Sequence, residues 1–200
     1  MDNSIPLPIP KEDWPSELAH IVQDMSGNPI NVHKLMANNP VLLNAWWSFR
    51  NYAVHGATLG QRRTELLILR VGVQMQSWYE WASHVARAMN IGIKQEDIFA
   101  VLKPVACHAW AEDERALLTA TDELTSMHKI SPSTLTQLNA HLGSEQIMDI
   151  IAIHGMYLFL AGMMRTWGLT LDEHIQEKIS GITNEESFLK QANLFADTSH

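Results

Sequence analysis

The chain has 200 residues, 46% hydrophobic and 18% charged, which is enough for one domain with a sizeable core and too few for two. A net charge of −8, with no run of Lys or Arg, excludes the electrostatic footprint of a protein that condenses on nucleic acid or an anionic membrane, so neither is an expected partner. A single cysteine, Cys107, excludes an internal disulfide and a thiolate-rich metal site, and suits a reducing cytoplasm, the expected location.

Residues 1–13 lack the basic start and apolar core of a signal peptide, and their prolines favour an extended arm ahead of a domain over 14–180. Trp14 to Met25 is expected to form a short helix, apolar at Leu18, Ile21 and Val22 and stopped by Ser26-Gly27-Asn28-Pro29. Asn39-Pro40 supplies an N-cap and a proline at the first helical position. The helix they launch carries Trp46, Trp47, Phe49 and Tyr52 nearly all round, so it should be buried on more than one side, inside the fold or between subunits.

Gly56 closes that helix, and residues 59–90 follow as the organising stretch. An apolar helical run carries Arg63, Glu65 and Arg70, breaks near Gly72 to Gln76, and gives way to a second helix opening at Ser77. A short helix, KQEDIFAVLK, precedes Pro104; a connector over 105–110 leads to AEDERALLTATDELTSMHK, acidic at its start and basic at its end. Ser131-Pro132 opens another helix, ended by Gly143. Ser144-Glu145-Gln146 caps a long apolar helix that reaches Arg165. It approaches membrane-spanning length but is interrupted by Asp149, His154, Gly155 and Gly162, which points to a buried core or interface helix. A further helix is expected over Leu171 to Ile179, then a polar tail over 181–200. No stretch alternates with period two, so the fold class is all-α.

Chemistry concentrates on the second helix of the organising stretch. At about 100° per residue Ser77, Glu80 and His84 share one face, and Ser77-x-x-Glu80 also reads as a capping box. A carboxylate one turn before a histidine can accept its N–H, fix the tautomer and raise its basicity, although alone the pair is an ordinary i,i+4 contact. Glu65 among apolar neighbours is either solvent-facing or turned to a cavity, where desolvation would raise its pKa. Arg62, Arg63 and Arg70 have surface ion pairing as their ordinary role. The ten histidines are scattered with no His-x-x-x-His pair, so no metal is expected, and glycine-rich phosphate loops and nucleophile elbows are absent.

The run Arg63-x-Glu65-Leu66-x-Ile68-Leu69-Arg70, with Tyr79-Glu80-Trp81-x-x-His84 after it, resembles the carboxymuconolactone decarboxylase family, which includes the alkylhydroperoxidase D-like proteins. DERALLTATDEL and the long helix with Tyr157 resemble that family's closing helices, so the likeness covers about residues 35–170. In the peroxidase branch the pattern is glutamate, eleven residues, cysteine, two residues, cysteine, three residues, histidine; here the same spacing reads Glu65, Ser77, Glu80, His84. Without a thiolate to attack and a second thiol to resolve, disulfide cycling is not expected. In the decarboxylase branch a glutamate and a histidine at the positions of Glu80 and His84 are usual. The resemblance implies a helical domain assembling into a trimer or a multiple of it, or a dimer, with no cofactor.

The leading expectation is therefore a cofactor-independent lyase or isomerase acting on a small unsaturated carboxylated or carbonyl compound. His84 would exchange a proton, Glu80 would orient it and Glu65 would be a second acid–base group, with Ser77, Tyr79, Arg63, Arg70, Trp81 and Tyr157 contacting the substrate. The alternatives are a thiol-dependent peroxidase relying on Cys107, and a non-catalytic helical oligomer that binds a ligand in the same aromatic pocket.

Overall fold

A computed structural model describes residues 6–198, with side chains as far as 193. All regular structure among the described residues is helical. Two 3-10 turns, Lys11–Asp13 and Ser16–Leu18, lead into α1 (Ala19–Asp24), α2 (Asn31–Met36) and α3 (Pro40–Asn51), and α3 runs straight into a π-helical turn at Tyr52–Gly56. Then come α4 (Gln61–Gln74), α5 (Trp78–Asn90), α6 (Gln95–Ala100), α7 (Glu112–Met127), α8 (Pro132–Asn139), α9 (Ser144–Thr166), α10 (Glu173–Ile179) and α11 (Glu185–Thr198).

Local chemistry explains most of the boundaries. Asn39 accepts from the Leu42 amide at 3.1 Å, with Pro40 at the first helical position, so α3 starts as its residues require. Ser131 caps α8 in the same way, while Glu123 holds both its amide and its hydroxyl. At the head of α9 the Gln146 side chain accepts from the Gly143 amide at 3.1 Å. Between α4 and α5, Gln76 takes a left-handed conformation (φ 50°), its amide donating to Val73 O and that of Ser77 to Gly72 O. Those two bonds close a Schellman motif, which reverses the chain within three residues.

The α4–α5 hairpin is the centre of the molecule. Leu66, Leu67, Ile68, Leu69, Val71 and Val73 of α4 are all buried, and α5, α7 and α9 pack around it. Gly72 is the closest point: a Cβ there would lie 3.2 Å from the Trp81 backbone nitrogen, so the missing side chain is what lets α5 approach. Arg70, on the other side of α4, is 1% exposed and clasps Asp122 of α7 through two 2.7 Å bonds while also donating to Val101 O and Lys103 O.

Two features depart from the sequence reading. Helix α2 was not anticipated, because its N-terminal amide is capped from far away: Asp172 accepts from Asn31 N at 3.0 and 3.3 Å. The expected polar tail contains α11, whose Phe188 is fully buried and stacks on Trp81 at 4.9 Å. The aromatic helix α3 buries Trp46 and Trp47 inside the fold and leaves Val41 and Phe49, with Tyr52 just beyond its end, exposed on the single chain.

Candidate active site

Helix α4 brings Glu65 and α5 brings Glu80 and His84 to one point beneath α9. His84 Nδ1 lies 2.6 Å from Glu65 Oε2, and His84 Nε2 lies 3.3 Å from Glu80 Oε1. Tyr157 of α9 meets the imidazole edge-on, with ring centroids 5.1 Å apart. The imidazole is 3% exposed and Glu80 4%. Burial by itself, the largest single influence, would lower the His84 pKa; the charge and hydrogen bond of Glu65 and the hydrogen bond of Glu80 outweigh it and raise the value above the ordinary histidine range. A carboxylate at each ring nitrogen thus favours the doubly protonated imidazolium. Burial pushes the Tyr157 hydroxyl pKa up, so it stays a neutral donor.

Two adjoining spaces border this group. The outer one is an open cavity of about 570 Å³ walled by the π-helical turn, α4, α5, α9 and α10, and Glu65 lines it. The inner one is a hollow of about 40 Å³ lined by Glu80 and His84 together with His33, Arg50 and Tyr79. Ile30, Val54, Ser83, Arg87 and Tyr157 line both and so lie at the boundary between them. Glu65 is therefore the acid that faces the roomy space, with His84 one bond behind it. The outer volume falls in the range of small-molecule sites, roughly 300–1,000 Å³. Among the described residues no group of three or more His, Cys, Asp or Glu side chains is placed to hold a metal ion.

The expected site residues separate into two sets. Glu65, Glu80, His84 and Tyr157 come together. Tyr79 borders the hollow, but its hydroxyl is engaged: it donates to Asp172 and accepts from Val32 N, tying α5 to α2 and to the start of α10. Trp81 is fully buried against Trp78, Phe99 and Phe188 and belongs to the core. Arg63 pairs with Asp113 at 2.7 Å and Arg70 with Asp122, and neither lines the two spaces. The capping box does not form: Ser77 Oγ is buried without a partner, lies outside both linings, and Glu80 turns to His84 rather than back to the helix start. Cys107 is exposed on a 3-10 turn, Val105–Cys107, away from the cavity. Sequence reasoning missed His33, Arg50, Ser83 and Arg87. Arg87 had a signal, since it lies three residues beyond His84 and on the same helical face.

A family profile described as "Carboxymuconolactone decarboxylase family" matches residues 40–123. No curated protein sequence matches the chain. Several solved structures share the fold at low identity. An uncharacterized peroxidase-related protein from Silicibacter sp. TM1040 superposes with a TM-score of 0.72 at 17% identity, over 88% of this chain and 96% of its own. A protein from Ralstonia eutropha JMP134, described as an alkylhydroperoxidase AhpD core and an uncharacterized peroxidase-related protein, gives 0.73 at 20% identity, over 86% and 95%. The debrominase Bmp8, in complex with 2,3,4-tribromopyrrole, gives 0.74 at 16% identity, over 91% and 99%. Residues 40–123, which span α3 to most of α7 and hold Glu65, Glu80 and His84, match the carboxymuconolactone decarboxylase family, and the chain has the alkylhydroperoxidase D-like helical fold of these structures.

Proposed function

We propose that the chain is a cofactor-independent lyase or isomerase that moves a proton on a small unsaturated carboxylated or carbonyl compound. The observation that carries this reading is the Glu65–His84–Glu80 relay, with a buried imidazole bonded on both nitrogens and one of its carboxylates lining a cavity of substrate size. Glu65 is the group that meets the substrate; it takes a proton from, or gives one to, the reacting carbon. His84 is the reserve behind it, replacing or accepting the Glu65 proton across the 2.6 Å bond, and Glu80 holds the imidazolium in place. In a decarboxylation the carbon–carbon bond to the carboxylate breaks, its electron pair delocalises into the conjugated carbonyl, and Glu65 returns a proton to carbon as carbon dioxide leaves. In an isomerisation the same proton leaves one carbon and returns at another. A thiol mechanism has less support, because the one cysteine lines neither space.

The test is proton exchange in D2O, followed by proton NMR, over a panel of α,β-unsaturated acids, lactones and ketones, with carbon dioxide release measured in parallel. Wild type should exchange or decarboxylate at least one class, and Glu65→Gln and His84→Gln should each lower the rate about 10²–10⁴-fold while keeping the fold. Equal rates in wild type and both variants would remove the relay from the chemistry.

A further inference from the structure

Besides the relay, the two adjoining spaces contain cations that lack the carboxylate partners of Arg62, Arg63 and Arg70. Arg62 bonds Glu114 and Asp97, Arg63 bonds Asp113, and Arg70 bonds Asp122. Arg50 of α3 and Arg87 of α5, which line the inner hollow together, have no carboxylate partner among the described residues. Arg50 lies over the Trp47 ring at 4.9 Å and reaches Asn51 and His55, all uncharged or weakly basic. Asp24 acts on it at a distance, but that carboxylate is bonded to Trp47 Nε1 at 2.7 Å and to Asn51. In a chain with eight more negative than positive charges, two half-buried guanidiniums converging without an acid between them call for a ligand.

Two neutral groups beside them are also unsatisfied. His33 Nδ1 and Ser83 Oγ are buried, 3% and 6% exposed as residues, and neither atom has a hydrogen-bond partner. Both residues line the hollow. Burial, with Arg50 and Arg87 alongside, pushes the His33 pKa down to about 3, so its ring is neutral and adds no third positive charge there. A water molecule could satisfy some of these bonds but could not offset the charge.

We infer that Arg50 and Arg87 clamp a single carboxylate, with His33 and Ser83 as neutral hydrogen-bonding groups beneath it, and that the body of a small monocarboxylate projects from this clamp into the outer cavity against Glu65. Charge selects one carboxylate over two. With His84 as imidazolium, three buried or half-buried positive groups (Arg50, Arg87, His84) face two negative ones (Glu65, Glu80), and one anionic charge completes that balance; Lys178, which also lines the outer cavity, is exposed and its charge is screened by water. A second carboxylate would have to lie in the outer cavity beside Glu65, where like charges repel. Arginine is also well matched to this ligand, because its fork fits the two oxygens of a carboxylate and it remains charged when desolvated. Arg87 lines both spaces, so a carboxylate held there lies at the boundary with the cavity that Glu65 lines.

The clamp rests on the acid–base reading only for which end of the ligand reacts, so the experiment reads binding separately from turnover. Crotonate, its uncharged amide and fumarate are titrated into the full chain by calorimetry at constant ionic strength, and the histidine ring resonances are followed by NMR. Crotonate should bind, crotonamide should bind at least about tenfold more weakly, and fumarate should be weaker than crotonate. Arg50→Gln and Arg87→Gln should each weaken crotonate about ten- to a hundredfold, while Arg165→Gln, at an exposed position on α9, should leave it unchanged. The His33 ring signals of the wild type should shift with crotonate and not with crotonamide, a readout that needs no substitution. Equal binding of crotonate and crotonamide, fumarate binding tighter than crotonate, or wild-type affinity in both arginine variants would overturn the clamp. Crotonate binding retained in Glu65→Gln, without any proton exchange in the wild type, leaves the clamp standing and removes the acid–base reading instead.

Discussion

Replacing Asp122 by alanine separates a structural arginine from a substrate-binding one. In the folded chain Arg70 is 1% exposed, with two 2.7 Å bonds to Asp122 and two 2.6 Å bonds to the carbonyls of Val101 and Lys103. Asp122→Ala leaves those carbonyls in place but removes the carboxylate that Arg70 clasps, and breaking a buried ion pair from one side costs about 3–5 kcal/mol. Because the Asp122 side chain is itself 30% exposed, water can approach the gap and the lower end, about 3 kcal/mol, is expected. That is a large part of a total of roughly 5–15 kcal/mol, and corresponds to a fall in melting temperature of about 6–12 °C. Urea unfolding should show the midpoint falling with the slope unchanged, and the double variant Arg70→Met with Asp122→Leu should recover most of the loss. Crotonate affinity of the folded single variant should stay at the wild-type level. A loss under about 1 kcal/mol, or a larger effect on ligand affinity than on stability, would refute the assignment of Arg70 to the scaffold.

The relay should also be visible in the pH dependence of stability. His84 has a raised pKa in the folded state, so its contribution is fully present below the unfolded value of about 6.5 and disappears as pH climbs through the folded value. Melting curves between acid and alkaline pH should therefore converge for wild type and His84→Gln at the alkaline end, and parallel curves throughout would contradict this. Phe188→Ala should cost about 3–5 kcal/mol, because the side chain is fully buried and stacked on Trp81; a near-neutral result in urea unfolding would detach α11 from the core. A homo-oligomer is expected from the apolar side chains left outside, with Val41 73% and Met148 69% exposed. Light scattering should show an assembly that Met148→Glu weakens, and a monomeric wild type at micromolar concentration would contradict it.

The legible parts of this fold share a physical trait: their causes lie within a few residues of their effects. Asn39-Pro40 and Ser131-Pro132 start helices because the cap and the proline act on the next turn, and the α4–α5 break is written in the residues that form it. Helix α2 was opaque because its cap is Asp172, 141 residues downstream, and its six residues are too few to show a period. In the site, Glu80 and His84 could be paired by spacing, but nothing local joins Glu65 to a histidine 19 positions later; only the family resemblance pointed there. Arg63 and Arg70 drew attention because they flank Glu65 on the same helix. Their side chains leave α4 toward α7, and Asp113 and Asp122 take them up. Arg50 and His33 reach the hollow from α3 and α2, by tertiary packing that no local pattern encodes.

The π-helical turn at Tyr52–Gly56 places an extra residue into what would otherwise be the last coils of α3, and Ala53, Val54 and His55 of that turn form one wall of the outer cavity. Tyr52 and Thr58 anchor its two flanks on the carboxylate of Asp149. Excising a single amino acid there would let ordinary α-helix continue and rotate every following side chain by about 100° around the axis. The chamber could thus acquire a different contour in one genetic step, while Glu65 on α4 and Glu80 and His84 on α5 kept their mutual geometry. Diversification of what such a chamber accepts would then proceed by changes in length at this wall rather than by exchange of the side chains at its floor.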